Sequence, residues 1–134
     1  MITLPDGPCA IPAGESTRRR RVLVVEDEGV VGMLLEDMLN DLGYEVGAVA
    51  ARLRDGLREA ETESYDCAIL DVNLQGELSY PIAEALMARR VPFLFVTGYG
   101  AKGVEGKYAR LPILAKPFPQ SELEAALSRL LASG

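Results

Sequence analysis

Five short apolar runs recur along the chain from residue 21 onward, most of them rich in β-branched residues. They are Val22–Val25, Val46–Ala50, Cys67–Leu70, Pro92–Val96 and Pro112–Ala115. Continuous apolar runs of this length are typical of strands that are covered on both faces, as in a parallel sheet. We therefore predict five parallel strands.

The intervals between these runs carry apolar residues at helical spacing. The four stripes comprise Val31, Leu34, Leu35, Met38 and Leu42; Leu53, Leu57 and Ala60; Ile82, Ala85 and Leu86; and Leu123, Ala126, Leu127, Leu130 and Leu131. The first stripe is followed by Gly43, in a position where glycine commonly ends a helix. Strands that alternate with helices predict a doubly wound α/β domain with a central five-stranded parallel sheet. Sites in such domains lie at the carboxyl ends of the strands.

Two segments depart from this alternation. Residues 1–20 contain prolines and glycines but little periodicity, so we predict a flexible N-terminal tail followed by one domain over residues 21–134. The interval 98–110 contains Gly98, Gly100, Gly103 and Gly106. Because each glycine inside a helix costs about 1 kcal/mol relative to alanine, we expect the helix of this interval to be short, late-starting or mobile.

The composition is that of an ordinary globular protein, with 49% hydrophobic and 25% charged residues among 134. The net charge of −6 argues against a direct nucleic-acid partner, since such partners select basic surfaces. No apolar run approaches the roughly 18 residues that span a bilayer, and Met1–Pro12 lack the layout of a secretion signal. We expect a cytoplasmic protein without membrane contact.

The chain contains no histidine and only two cysteines. The absence of histidine excludes Ser-His and Cys-His catalysis, imidazole metal ligands and a role as a phosphohistidine donor. Cys9 and Cys67 are too few for a disulfide framework or a zinc site. Cys67 lies in an apolar run and is interpreted as a small buried hydrophobe. Any chemistry of this chain must therefore use carboxylates, hydroxyls and lysines.

Polar residues follow four of the five predicted strands. The first strand is followed by Glu26 and Asp27, and the later strand ends carry Asp71, Thr97 and Lys116. Taken singly, each would be an ordinary turn, cap or surface residue, but in a doubly wound sheet these ends converge on one crevice. Crowded carboxylates need a cation, and a hard divalent ion such as Mg²⁺ fits best. A carboxylate nucleophile, a divalent ion, a hydroxyl and an ammonium group together suit phosphoryl transfer.

Four segments carry a resemblance to a known family. They are Val-Leu-Val-Val-Glu-Asp-Glu (22–28), Ile-Leu-Asp-Val-Asn-Leu (69–74), Phe-Val-Thr-Gly-Tyr (95–99) and Ala-Lys-Pro-Phe (115–118). In this order and at these intervals they resemble the hallmark segments of response-regulator receiver domains of two-component signalling, over about residues 20–132. The resemblance implies a (βα)5 flavodoxin-like receiver fold. It also implies a phosphoacceptor rather than an enzyme that turns over a substrate.

The resemblance assigns a metal site to the first and third strand ends. Asp27 and Asp71 would be ligands of Mg²⁺ or Mn²⁺, and Glu26 would act more through water. The backbone carbonyl of Asn73 would be the third protein ligand.

The resemblance also assigns the residues that handle the phosphoryl group. Asp71 would be the phosphoacceptor, Thr97 would hydrogen-bond the phosphoryl group, and Lys116 would pair with it. The family further implies a cis peptide bond between Lys116 and Pro117, which costs little only before proline.

Three features depart from the usual pattern of the family. Many receivers carry an aromatic residue three positions before the lysine, where this chain has Ile113, so the usual threonine–aromatic switch is in doubt. Gly98 replaces a common alanine, and Gln75-Gly76 replace a common proline. Together with the run 95–99, these departures resemble a subgroup that often occurs as stand-alone proteins. Our hypotheses are that phosphorylation orders the interval 98–110 and that the bulk of Tyr99 slows hydrolysis.

The implied partners are a histidine kinase or a histidine phosphotransfer protein at the first helix, and an output protein or domain. The usual output surface comprises the fourth helix, fifth strand and fifth helix of such domains, in a monomer or a phosphorylation-dependent dimer. A phosphate sink and a phosphorylation-independent scaffold remain alternatives. A small Mg²⁺-dependent aspartyl phosphatase of the haloacid-dehalogenase type is a further one, but such enzymes need an acid where this chain has Asn73.

Overall fold

The computed structural model describes residues 19–98, 104, 106–108 and 110–133. Its strands are β1 (Arg21–Val25), β2 (Glu45–Ala50), β3 (Cys67–Asp71), β4 (Asn73–Leu74), β5 (Glu77–Leu78), β6 (Phe93–Thr97) and β7 (Ile113–Ala115). Five of them form one parallel sheet in the order β2-β1-β3-β6-β7. This confirms the predicted doubly wound fold, and every predicted strand end lies within one residue of the observed end.

In the described part of the chain, four helices cover the two faces of the sheet. They are α1 (Gly29–Asp41), α2 (Leu53–Thr62), α3 (Tyr80–Ala88) and α4 (Gln120–Ser133). Because successive strand residues point to opposite faces, the sheet builds two apolar layers. Leu23, Leu70 and Phe95 pack in the layer that includes residues of α2 and α3. Val24 and Ile69 pack in the layer that includes residues of α1 and α4.

Helix α1 faces the sheet with most of the predicted stripe, since Leu35 is buried and its other members except Leu34 pack half-buried against the core. Its buried residues are Gly32, Leu35 and Leu39, which follow one another at helical spacing. Leu34 was predicted to be in this stripe, which is wrong, since 54% of its surface is exposed. Spacing alone could not show that Leu34 is exposed, because α1 is apolar on more than one side.

The end of α1 matches the expectation for Gly43. This glycine has a φ of +91° and donates its N–H to the carbonyl of Asn40 at 3.1 Å. The N–H of Tyr44 bonds to the carbonyl of Leu39 at 2.9 Å, which completes a Schellman motif. The turn directs the chain straight into β2.

A small antiparallel hairpin, β4–β5, follows β3 and was not predicted. Gln75 and Gly76 occupy its turn with φ values of +54° and +92°, as a type I′ turn requires. The N–H of Gly76 donates to Oδ1 of Asn73 at 2.7 Å, which ties down the turn. Gln75-Gly76 were noted in the sequence as a departure from the family, but they are the signal for this hairpin.

The two irregular segments predicted from the sequence are only partly described. Residues 1–18 of the predicted tail lie outside the described residues, whereas the carbonyl of Arg20 accepts the N–H of Glu45 at 2.8 Å. The described part of the interval 98–110 contains a single 3₁₀ turn, Gly106–Tyr108. Among the helices that the structure describes, none combines the length and apolar character needed to cross a bilayer.

Candidate functional site

Three carboxylates meet at the carboxyl ends of β1 and β3. Glu26, Asp27 and Asp71 each offer one ligand oxygen, and these oxygens all lie within 4.8 Å of one another. The pairing of β1 with β3 produces this arrangement, because Val25 lies opposite Leu70 and both chains end at the same edge. The sequence prediction that these three residues converge is thus matched by the geometry.

Lys116 reaches the carboxylates from the other side of the sheet edge. Its Nζ lies 3.1 Å from Oδ2 of Asp71 and 3.0 Å from Oε1 of Glu26. Its backbone N–H donates to the carbonyl of Thr97 at 2.9 Å, which fixes the start of the loop after β7. The peptide bond between Lys116 and Pro117 is cis, as the resemblance implied.

The crevice itself is shared by residues of all four strand ends. Its lining includes Asp27, Asp71, Asn73, Thr97 and Lys116, while Glu26 lies beneath it and is 2% exposed. Thr97 is the last residue of β6 and is 4% exposed. The structure therefore brings together the six residues that the sequence analysis assigned to the metal and phosphoryl sites.

Burial and mutual repulsion govern the electrostatics of the carboxylates. Burial raises the pKa of Glu26 to about 7, the pairing with Lys116 opposes this shift, and the charge of Asp71 adds to it. Burial alone would lower the pKa of Lys116, but its hydrogen bonds to Glu26 and Asp71 raise that pKa above its ordinary value. The site thus keeps Lys116 charged and disfavours ionisation of Glu26.

The donor set fits a hard divalent cation. The three acids offer carboxylate oxygens, and no thiol or imidazole lies among them. Carboxylate oxygens are the ligands that Mg²⁺ or Mn²⁺ prefers. Oε1 of Glu26 is fully buried and has Nζ of Lys116 at 3.0 Å, an ammonium group that it shares with Asp71. A single lysine leaves the three crowded carboxylates short of positive charge, and a divalent cation would supply it.

Two features of the site were not foreseen from the sequence. One is the direct ion pair of Glu26 with Lys116, since pairing across the sheet depends on the register of strands far apart in the chain. The other is that Oδ1 of Asn73 is occupied by the N–H of Gly76, so its side chain serves the hairpin turn. Tyr99 lies outside the described residues, and its proposed effect on hydrolysis stays a prediction.

Residues 22–128 match the family described as the response regulator receiver domain. The chain belongs to the response-regulator receiver family. The resemblance inferred from the four segments is therefore confirmed, and so is the flavodoxin-like receiver fold. In this receiver, Ile113 lies three residues before Lys116 and packs half-buried against the layer that contains Phe95.

Similar proteins include bacterial regulators and isolated receiver domains. The transcriptional activator protein IrlR of Burkholderia pseudomallei is 37% identical over 121 residues, which are 85% of this chain and 51% of that protein. This receiver thus spans about half the length of that relative. The structure of SdrG from Sphingomonas melonis Fr1 is 40% identical with a TM-score of 0.76, covering 84% of this chain and 97% of SdrG.

A third relative bears on the metal site. The receiver domain of the sensor histidine kinase PA1611 from Pseudomonas aeruginosa PAO1 is 31% identical, with a TM-score of 0.72. The match covers 86% of this chain and 99% of that domain. That structure holds a magnesium ion coordinated in its active site cleft.

Proposed function

We propose that this receiver accepts a phosphoryl group on Asp71 from a histidine kinase or a histidine phosphotransfer protein and signals through protein contacts. The observation that carries the proposal is the position of Asp71. Its carboxylate lies among two further carboxylates and is hydrogen-bonded to Lys116, at an open crevice. Such a site can hold a cation and a transferred phosphoryl group side by side.

The chain's own residues have distinct tasks in this transfer. A carboxylate oxygen of Asp71 forms the new O–P bond while the N–P bond to the donor imidazole breaks, and that imidazole nitrogen takes up a proton. Lys116 already contacts Oδ2 of Asp71 at 3.1 Å and stabilises the negative charge of the phosphoryl oxygens. The hydroxyl of Thr97 would hydrogen-bond another of these oxygens.

A divalent cation, Mg²⁺ or Mn²⁺, would supply the remaining charge neutralisation. Asp27 and Asp71 would hold it directly, Glu26 through water, and the backbone carbonyl of Asn73 would complete the protein ligands. The support is the cluster of three oxygens within 4.8 Å of one another and the position of Asn73 on the crevice wall.

Helix α1 offers a docking surface for the phosphodonor. Val30, Met33 and Leu34 are 80%, 67% and 54% exposed, although they are large apolar residues. A cleft next to them is lined by Met38, Phe118 and neighbouring residues, including Lys116 of the site. A donor helix with an apolar face that lay on α1 would therefore stand beside the crevice.

A phosphatase of the haloacid-dehalogenase type is disfavoured by the hairpin. Such an enzyme needs an acid two residues after the nucleophile to protonate the leaving group. Here that residue is Asn73, whose side chain accepts the N–H of Gly76. A phosphate sink shares the chemistry of the receiver and differs in lacking a conformational response.

The proposal is tested by incubating the protein with Mg²⁺ and acetyl phosphate and measuring its intact mass by mass spectrometry. We expect a gain of one phosphoryl group that is lost in Asp71→Asn and retained in Asp41→Asn, a matched change at an exposed position of α1. A gain that survives in Asp71→Asn would overturn the assignment of the acceptor. Multiple turnover of a phosphoester by the wild type would instead support the phosphatase.

A further inference from the structure

Three aromatic rings pack together below the site, on the face of the sheet that includes α3. Tyr80 and Tyr108 stack with ring centroids 4.2 Å apart and planes 10° apart. Phe95 meets both rings edge-on, at 5.9 Å from Tyr80 and 6.0 Å from Tyr108. All three residues are buried, so the cluster cannot shift one ring without moving the others.

This cluster is connected to the phosphorylation site through β6. Phe95 lies two residues before Thr97 on the same strand, and alternate strand residues point to the same face. The N–H of Val72, next to Asp71, bonds to the carbonyl of Val96 at 3.1 Å. The end of β6 is therefore attached both to the acceptor strand and to the aromatic cluster.

The other side of the cluster reaches the surface through a polar contact of Tyr108. The hydroxyl of Tyr108 donates to Oε2 of Glu84 on α3 at 2.5 Å, and Nζ of Lys107 lies 3.0 Å from the same oxygen. The side chains of Glu84 and Lys107 are 51% and 71% exposed. The contact thus joins the 3₁₀ turn Gly106–Tyr108 to α3 at a place that a partner can touch.

The position of Ile113 gives this arrangement its importance. An isoleucine has no ring that could swing inward when Thr97 moves, and Ile113 packs against the same apolar layer as Phe95 and Tyr108. Tyr80 and Tyr108, which contact Phe95, are aromatic rings on this face that a movement of β6 would displace.

We propose, resting on the function proposed above, that phosphorylation of Asp71 is transmitted through Phe95 to the Tyr80–Tyr108 stack and weakens the Glu84–Tyr108 hydrogen bond. When Thr97 is drawn toward the phosphoryl group, the end of β6 shifts and the edge contacts of Phe95 move the stack. The hydrogen bond in the unphosphorylated protein therefore favours the inactive state. Its release changes the exposed surface of α3 and the 3₁₀ turn.

The test measures the affinity of the Mg²⁺-loaded protein for beryllofluoride, a phosphoryl mimic that was used to activate the relative SdrG in a second solution structure. Tyr108→Phe keeps the ring and removes the hydroxyl. Coupling between two sites is reciprocal. Loss of the hydrogen bond between Tyr108 and Glu84 in this variant should therefore tighten beryllofluoride binding, by about fivefold. Glu84→Gln, which weakens the acceptor, should shift the affinity in the same direction by less.

Tyr65→Phe is the matched control. The hydroxyl of Tyr65 also donates to a carboxylate, Oε1 of Glu59, at 2.5 Å, but Tyr65 packs beside Gly47 and Arg21, where β1 begins. Its loss should leave the affinity unchanged. Equal affinities of wild type and Tyr108→Phe would overturn the inference while the proposed function stands. No binding to the wild type would overturn both.

A second measurement follows amide resonances by NMR. In the wild type, beryllofluoride should move the resonances of Val72, Glu84 and Lys107. In Thr97→Ala, the resonance of Val72 should still move, whereas those of Glu84 and Lys107 should stay in place. Movement of all three in the variant would contradict transmission through Thr97 and β6.

Discussion

Nζ of Lys116 lies 3.0 Å from Oε1 of Glu26, and the glutamate side chain is the more deeply buried partner, 1% exposed against 20% for the lysine. The same ammonium group also contacts Asp71 at 3.1 Å. One lysine therefore offsets the charge of two acids where three are crowded together, and the stability of the site depends on it.

Replacing Lys116 with methionine should expose this dependence. Breaking a largely buried pair leaves an uncompensated charge, so we expect the free energy of unfolding to fall by about 3 kcal/mol without Mg²⁺. Added Mg²⁺ should restore part of this loss, because it neutralises the same carboxylates. Urea unfolding with and without Mg²⁺ measures both effects. Lys107→Met, which removes an exposed lysine paired with Glu84, should change stability little.

Asp27→Asn should weaken Mg²⁺ binding by at least about tenfold, since even residues outside the first coordination sphere have effects of this size. Glu28→Gln is the control, because Glu28 borders the crevice but is not part of the three-carboxylate cluster. Isothermal titration of the metal-free proteins gives the two affinities. Equal losses in both variants would indicate a general charge effect in place of ligation.

The buried stripe of α1 predicts opposite consequences for two leucines. Leu39 is wholly buried, so Leu39→Ala should destabilise the fold by about 3 kcal/mol. Leu34 is 54% exposed, so Leu34→Ala should leave stability nearly unchanged and slow phosphotransfer from a donor that docks on α1. Chemical unfolding and transfer kinetics separate the two. If Leu34→Ala altered only stability, the docking surface would lie elsewhere.

Cys67 should make the fold sensitive to alkaline pH. Its thiol is wholly buried, and burial raises the pKa of this thiol to about 12. In the unfolded chain, the pKa of a cysteine thiol is about 8.5. Only the unfolded chain loses the proton in this range, so stability is full below about pH 8.5 and falls as the pH rises toward 12.

Because of this thiol, the free energy of unfolding should fall by about 2 kcal/mol between about pH 8 and pH 10. Urea unfolding at both pH values measures this difference, and Cys67→Ala serves as the reference. Tyr65, whose pKa burial also raises, titrates in both proteins and cancels in the comparison. Identical pH dependence of the two proteins would count against a buried neutral thiol.

The sequence was sufficient to predict the features that depend only on the apolar pattern and on the topology of a parallel sheet. The apolar runs located β1 and β3 to within one residue, and the rule that parallel strands present their carboxyl ends at one edge brought Asp27 and Asp71 together. What the sequence could not provide depends on register and on helix rotation. Neither the pairing of Lys116 with Glu26 nor the exposure of Leu34 follows from spacing along the chain.

Local turn chemistry lies between these extremes. Gly43 was correctly expected to end α1, because a glycine after an apolar stripe is a strong signal. The β4–β5 hairpin was missed although Gln75 and Gly76 are present, because two-residue strands are too short to show alternation.

The turn at Gln75 and Gly76 also limits how the length of this domain can vary. Both residues adopt positive φ, and the pairing of Asn73 with Leu78 depends on a loop of two residues. One inserted residue would break that pairing and rotate the start of α3 away from the crevice. We therefore expect insertions and deletions among homologous chains to avoid the segment between β3 and α3, and length differences to accumulate in other loops.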